Sequence, residues 1–186
     1  MTAIRAREPA RLAELTADLL RTRLDEAVRI YVTAMRYPPG TARHRSPMWL
    51  EHTLRAGWLC MAAFEADTLV GIAYGYRGAP GQWWHDEVHR GLTLVDPSNA
   101  QHHLADYFEL TELHVHPTAQ GRGIGRALLT ELLARVDAPR ALLSTPEGPT
   151  RAWQLYRRVG FTDLLRNYYF TGDSRAFAVL GRALPL

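Results

Sequence analysis

The densest chemistry in the sequence lies at Gln120-Gly121-Arg122-Gly123-Ile124-Gly125-Arg126, between an extended run and an apolar helical one. Glycines at alternate positions let the backbone approach a ligand closely. The amides that open the following helix point outward from its positive end, so the segment suits a pyrophosphate. Arg122 and Arg126 add permanent positive charge beside it. Two better-known phosphate loops fail on spacing. A dinucleotide fingerprint, G-x-G-x-x-G, needs glycine where Arg126 or Leu128 stands, and a P-loop needs a lysine, which the chain lacks altogether. On the glycines alone, a plain strand-to-helix turn stays open.

The run before the glycines carries two carboxylates, Glu109 and Glu112. Phe108 and Leu110 put the apolar face on even positions, whereas Leu113 and Val115 put it on odd ones, and strict alternation cannot do both. A bulge near Thr111-Glu112 would supply the extra residue and open a gap beside the neighbouring strand; otherwise both faces are partly buried and the parity is accidental. A carboxylate half-buried in such a gap has its pKa raised and can take a proton from a bound group, directly or through water. Either glutamate could instead pair with an arginine, and His114 and His116 are alternative bases. Upstream, Tyr76, Trp83, Trp84 and His85 could line a substrate pocket. His85 and His89, four apart on a helix, could share a zinc ion. However, Asp86 stands where metalloprotease chemistry places Glu, and no third ligand has a marked spacing, so no metal is expected.

The elements that must position these residues follow from periodicity. Leu24, Ala27, Val28, Tyr31, Val32 and Met35 mark a helix face, ended by Pro38-Pro39-Gly40. A short strand is expected before it, near Glu14 to Leu20 or further upstream. Ser46 and Pro47 read as the cap and first residue of a second helix ending near Gly57. Residues 58–64 and 68–76 read as a hairpin, and 77–105 as an insertion with one helix. Then come a strand at 107–116, a helix at 123–136, a short strand at 141–144, a helix at 150–159 and strands at 161–170 and 175–180. The order is that of an α/β domain with a parallel crossover at its centre.

With those residues in place, the sequence resembles the GNAT superfamily of acyl-CoA-dependent N-acyltransferases. The family's bulged strand followed by Gln/Arg-x-x-Gly-x-Gly/Ala is matched by Gln120, Gly123 and Gly125. Its later Ala-x-x-x-Tyr-x-x-x-Gly-Phe helix end is matched by Ala152, Tyr156, Gly160 and Phe161. The resemblance covers residues 58–186, and it departs at Pro149, where the family often has an asparagine on the pantetheine arm. It implies an α/β (α+β) fold: a mixed, mostly antiparallel central sheet flanked by helices, with the bulged strand 107–116 and a parallel, splayed neighbour at 141–145. It further implies acetyl-CoA as co-substrate, with the backbone from Gln120 through Gly121, Arg122, Gly123, Ile124, Gly125 and Arg126 on the pyrophosphate. Leu113, His114 and Val115 would hold the pantetheine arm, and an amide near Val115 would polarise the thioester carbonyl. A glutamate on the strand, Glu109 or Glu112, would be the base, and Tyr156 the acid that meets the departing thiolate.

Composition bounds the rest. The chain has 186 residues, 47% hydrophobic and 22% charged, with one cysteine, which suits one domain over 1–186 that needs no disulfide or metal to hold its core. Few cysteines, no basic leader and no apolar run of about 18 residues lead to the expectation of a cytoplasmic protein off the membrane. All 22 basic residues are arginine and the net charge is +3. That balance suits an anionic ligand, and mildly an acceptor with acidic neighbours, more than nucleic acid. The expected partners are acetyl-CoA and an amine acceptor, small molecule or protein, with the chain a monomer or homodimer. A non-catalytic acyl-CoA-sensing or partner-binding module on the same fold is the alternative.

Overall fold

The computed structural model describes residues 9–186. In chain order the elements are β1 (Arg11–Glu14), α1 (Ala17–Thr22), α2 (Leu24–Met35), α3 (Thr41–His52), β2 (Leu59–Glu65), β3 (Thr68–Arg77), α4 (Trp83–Val95), α5 (Pro97–Leu104) and β4 (Phe108–Val115). They continue with α6 (Ile124–Leu133), β5 (Arg140–Pro146), α7 (Arg151–Arg158), β6 (Thr162–Tyr168) and β7 (Phe177–Ala183). Among the described residues seven strands form one sheet in the order β1-β2-β3-β4-β5-β7-β6. Every pairing is antiparallel except β4 with β5. The mixed, mostly antiparallel sheet with flanking helices and one parallel pair at its centre is the fold class expected above. No helix among the described residues is long and apolar enough to cross a membrane.

One local expectation is narrowed and two are corrected. Of the two placements for the N-terminal strand the upstream one holds, β1 ending at Glu14, and residues 17–22 are helical, because the Thr16 hydroxyl accepts from the Leu19 amide at 3.2 Å and starts a turn. The second helix begins at Thr41 rather than Ser46. The Pro38-Pro39-Gly40 stretch forms its entry, with the Thr41 and Ala42 amides donating to the Pro38 and Pro39 carbonyls. Ser46 therefore sits mid-helix and donates to the Ala42 carbonyl at 3.0 Å, and Pro47 lies inside the helix. The insertion carries two helices, since Asp96 ends α4 and caps α5, accepting from the Ser98 amide with Pro97 at the first position.

Side-chain alternation sorts the core onto two faces. On one face α6 buries Leu128, Leu129, Leu132 and Leu133 against Met61, Ala63, Ala73, Phe108 and Leu110, with Tyr156 and Phe161 at the edge of that cluster. On the opposite face of β2 and β3, helices α1 to α3 pack Leu20, Val28, Tyr31 and Trp49 against Cys60, Ala62, Ile72, Tyr74 and Tyr76. Further along, α4 and α5 pack Trp84, Val88, Leu92 and Leu104 against Tyr107, Leu142, Leu165 and Val179. Leu142 points away from the α6 cluster that takes its neighbours Ala141 and Leu143, so α4 and α5 also lie opposite α6.

Candidate active site

The two helical layers opposite α6 leave β4 between them, and β4 is irregular there. Tyr74 pairs with Glu112 and Gly75 with Leu110, so Thr111 has no partner on β3. The consequence is a change of parity. In a regular strand two residues three apart point to opposite faces; across the bulge Glu109 and Glu112 point to the same one, away from α6, while Leu110 and Leu113 both turn toward it. Gly75 makes this possible, because a Cβ there would collide with the Glu109 carbonyl oxygen and the Phe108 ring. On its other edge β4 pairs with β5 only at Phe108↔Ala141 and Glu109↔Leu142. Beyond Glu109 the two parallel strands diverge, and the edge from Thr111 to Val115 faces open space.

A cavity of about 660 Å³ fills the gap, and its lining comes from both faces of the sheet. Of the residues expected from the sequence, Tyr76, Trp83, Trp84, Glu109, Glu112, Leu113, His114, Val115, Gln120 and Tyr156 line it. Glu109 is 3% exposed. Its Oε1 accepts from the Tyr76 hydroxyl at 3.2 Å and the Thr111 hydroxyl at 3.4 Å, and its Oε2 has no partner. Burial drives its pKa from 4.5 to about 7, against the opposing pull of the Tyr76 hydrogen bond and the Arg55 charge. Glu112 is engaged instead: its Oε2 lies 2.6 Å from His114 Nε2.

Tyr156 is buried on α7, its ring edge-on to Phe161 at 5.8 Å. Burial, and then the Glu112 charge, push its hydroxyl pKa upward, so it is a proton donor throughout the physiological range. His52, from α3, reaches the same cavity. Burial and the nearby Arg55 and Arg45 charges lower its pKa to about 4, and its Nδ1 meets the Tyr74 hydroxyl at 2.9 Å.

The glycine loop lies just beyond the cavity. Gly121 and Gly123 have φ of +78° and +81° with open space where a Cβ would stand, so glycine is needed there for the backbone and not for packing. Gly123 caps α6 without a side-chain hydrogen bond, and the first α6 amide with a backbone acceptor is that of Ala127, 3.0 Å from the Gly123 carbonyl. The amides ahead of it are the open donors of a helix start. Gln120 Nε2 donates to the Val115 carbonyl at 2.9 Å and ties the loop to the strand end. Arg126 is exposed, whereas Arg122 forms an ion pair with Glu65.

Two expected pocket residues behave differently from each other. Trp84 forms part of the wall, its Nε1 donating to Ser144 Oγ at 3.0 Å. His85 turns away: it is buried outside the cavity, with Nδ1 at 3.0 Å from the Tyr107 hydroxyl. What the sequence did not single out is the wall supplied by α2, α3 and the β6–β7 loop, including Tyr31, Tyr37, Arg45, His52, Arg55 and Arg175. Tyr31 had been visible only as one position of an apolar helix face.

Residues 59–163 match the sequence model described as an acetyltransferase (GNAT) domain. Over 202 aligned residues the chain is 50% identical to a GCN5-like protein acetyltransferase of Mycobacterium tuberculosis, covering 94% of this chain and 98% of that one. The chain belongs to the GNAT family of acetyltransferases. Solved structures of the family share its fold at low identity. A GNAT-family protein from Desulfovibrio desulfuricans superposes with a TM-score of 0.66 at 18% identity, over 94% of this chain and 98% of that one. The PaiA N-acetyltransferase of Thermoplasma acidophilum, solved in complex with coenzyme A, gives 0.62 at 14% identity, over 95% and 100%. The GNAT site here fits an acyl-CoA on its own geometry: a splayed strand edge for an extended arm, and a glycine-opened helix start for a pyrophosphate.

Proposed function

We propose that the protein is an N-acetyltransferase that moves the acetyl group of acetyl-CoA to a primary amine, with Glu109 as the base and Tyr156 as the acid. The observation that carries this reading is the buried Glu109, raised to about 7 and holding one oxygen without a partner on the cavity side of the bulge. A base is most effective when its pKa lies near the working pH. Glu109 takes a proton from the bound ammonium, and the freed amine attacks the thioester carbonyl carbon. The new C–N bond forms as the C–S bond breaks, the electron pair leaves on sulfur, and the Tyr156 hydroxyl supplies the proton that sulfur takes up; the second proton on nitrogen leaves as the amide forms and restores the Tyr156 hydroxyl through water, while Glu109 releases its proton to solvent.

The other roles follow from position. Glu112, its Oε2 already engaged by His114, stands beside the site and is not the base. Amides along the open edge from Leu113 to Val115 polarise the carbonyl, and the loop from Gln120 to Arg126 holds the pyrophosphate. Arg122 contributes through its backbone, its side chain being engaged by Glu65. Trp83 and Trp84, from the 77–105 insertion, wall the acceptor side together with Tyr76; His85 stands behind the wall and positions Tyr107. The whole chain acts as one catalytic domain. The 50% identical relative, named a protein acetyltransferase, supports a protein acceptor over a small molecule.

The test is a thiol-release assay with acetyl-CoA against lysine peptides and a panel of small amines, alongside calorimetric titration of CoA. Amine-dependent thiol release with a midpoint near pH 7 is expected. Tight CoA binding with no release on any amine would overturn the reading.

A further inference from the structure

Two guanidiniums in the cavity wall, those of Arg45 and Arg55, have no carboxylate within ion-pair distance among the described residues. Each is oriented instead on an aromatic ring: Arg45 lies 5.1 Å from the Tyr31 centroid and Arg55 lies 4.4 Å from the Tyr76 centroid. Arg45 also points a nitrogen at Met48 Sδ, 3.9 Å away. The third arginine of the wall is closed off: Arg175 holds Asp173 through contacts of 2.6 and 3.0 Å and donates to the Tyr37 hydroxyl at 2.9 Å. The remaining carboxylates facing this space are Glu109 and Glu112 at its floor and the exposed Glu51 at its rim. Positive charge is therefore left open on the α3 side while the floor is acidic.

Pyrophosphate does not account for the two arginines. They stand with the α1–α3 layer, across the sheet from α6 and its glycine loop. Nor does one small carboxylate: the two guanidiniums sit on different rings, Tyr31 and Tyr76, and their backbones are ten positions apart along α3 and the turn after it, about 15 Å at helical rise. An extended chain covers that span in about five residues. We propose that this wall recognises a peptide segment in which the acetylated lysine is flanked, within about four residues, by aspartate or glutamate. The proposal rests on the acetyl-transfer reading above. The lysine ammonium enters toward Glu109, and acidic side chains of the same segment meet Arg45 and Arg55.

Three lysine peptides, identical except for acidic, alanine or arginine flanks, test this with the intact protein at low and high salt. The expected result is a kcat/KM about tenfold higher for the acidic peptide than for the alanine one, about 1.4 kcal/mol, carried by KM and shrinking as salt rises. The arginine peptide should be slowest. In the Arg45→Gln/Arg55→Gln double variant the acidic-to-alanine ratio should fall to about one; using the ratio removes any common effect of Arg55 on Glu109. Equal rates on acidic and alanine peptides in the unaltered protein would overturn the proposal, and that comparison needs no variant to fold. So would a preference that survives in the double variant, or turnover confined to small amines. In each of those cases the acetyl-transfer reading stands, whereas silence on every amine would end both.

Discussion

Glu109→Gln should make the protein less active and, at alkaline pH, more stable. The rise of the Glu109 pKa from 4.5 to about 7 means that the folded state holds a proton which the unfolded chain gives up between those values. Stability attached to this group is fully present below pH 4.5 and is lost as pH rises through 7. At 1.36 kcal/mol per tenfold, the loss is about 3 kcal/mol above pH 7. Glutamine keeps the shape and an acceptor for Tyr76 but cannot ionise, so it escapes that loss. The variant should therefore gain about 3 kcal/mol relative to the unaltered protein between pH 4.5 and pH 8, about 6–12 °C in Tm for a chain of this size. Paired thermal melts at the two pH values measure it, and every other titrating group cancels in the comparison. At the same time kcat should fall by about 100-fold to 10,000-fold, and the rise of rate with midpoint near 7 should vanish. An equal Tm difference at both pH values would show that Glu109 ionises normally in the fold and would remove the physical basis for naming it the base.

Three further substitutions probe the parts around it. Tyr156→Phe should lower kcat at least about 100-fold with the KM for acetyl-CoA nearly unchanged, since the ring and its edge contact with Phe161 remain; a change confined to KM would assign the hydroxyl to binding. Gly75→Ala places a methyl group against the Glu109 carbonyl oxygen and the Phe108 ring. It should cost about 1–3 kcal/mol in a denaturant melt and shift the pH midpoint of activity, and an unperturbed midpoint would count against the bulge as the device that sets Glu109. Gly123→Ala meets open space but a φ of +81°. It should cost about 1–2 kcal/mol of stability and weaken CoA in calorimetry about tenfold, with little effect on acceptor KM.

The sequence disclosed the parts of the fold that rest on local rules. The change of apolar parity between Leu110 and Leu113 marked the bulge, and the glycine run marked the start of α6. The hairpin at 59–77 followed from two apolar runs and a three-residue turn region. The start of α3 is hidden because Ser46-Pro47 looks like a cap, while Pro38-Pro39-Gly40 both ends α2 and leads into α3. A cap for α5 was present in Asp96-Pro97 and went unused. Arg45 and Arg55 could not be distinguished at all. The chain has 22 arginines, and which of them lack a carboxylate depends on where distant glutamates and aspartates arrive in space. His85 is hidden for a related reason: helical spacing places it near Trp83 and Trp84, but only the packing of α4 on Tyr107 turns His85 away and leaves the two tryptophans on the cavity.

One inserted residue links the chemistry to the architecture. Thr111 gives up its place opposite β3, and its hydroxyl turns to the Glu109 carboxylate and carbonyl, each at 3.4 Å. That shift brings Glu109 and Glu112 to one face, and the β4–β5 ladder ends after Glu109, so the proposed base and the slot for an extended ligand lie at the same distortion. The distortion has a cost, since ladder hydrogen bonds are lost and a carboxylate is held near neutrality with one oxygen unpartnered. It is tolerable because the clusters on either side do not depend on it. Leu110 and Leu113 still reach the α6 core, while Tyr74 and Tyr76 remain packed beneath α3. A strand braced by packing on both faces can carry a local defect that a free edge strand would relax, and that explains how a buried glutamate raised toward neutrality can sit at the centre of the sheet rather than on a loop at its rim.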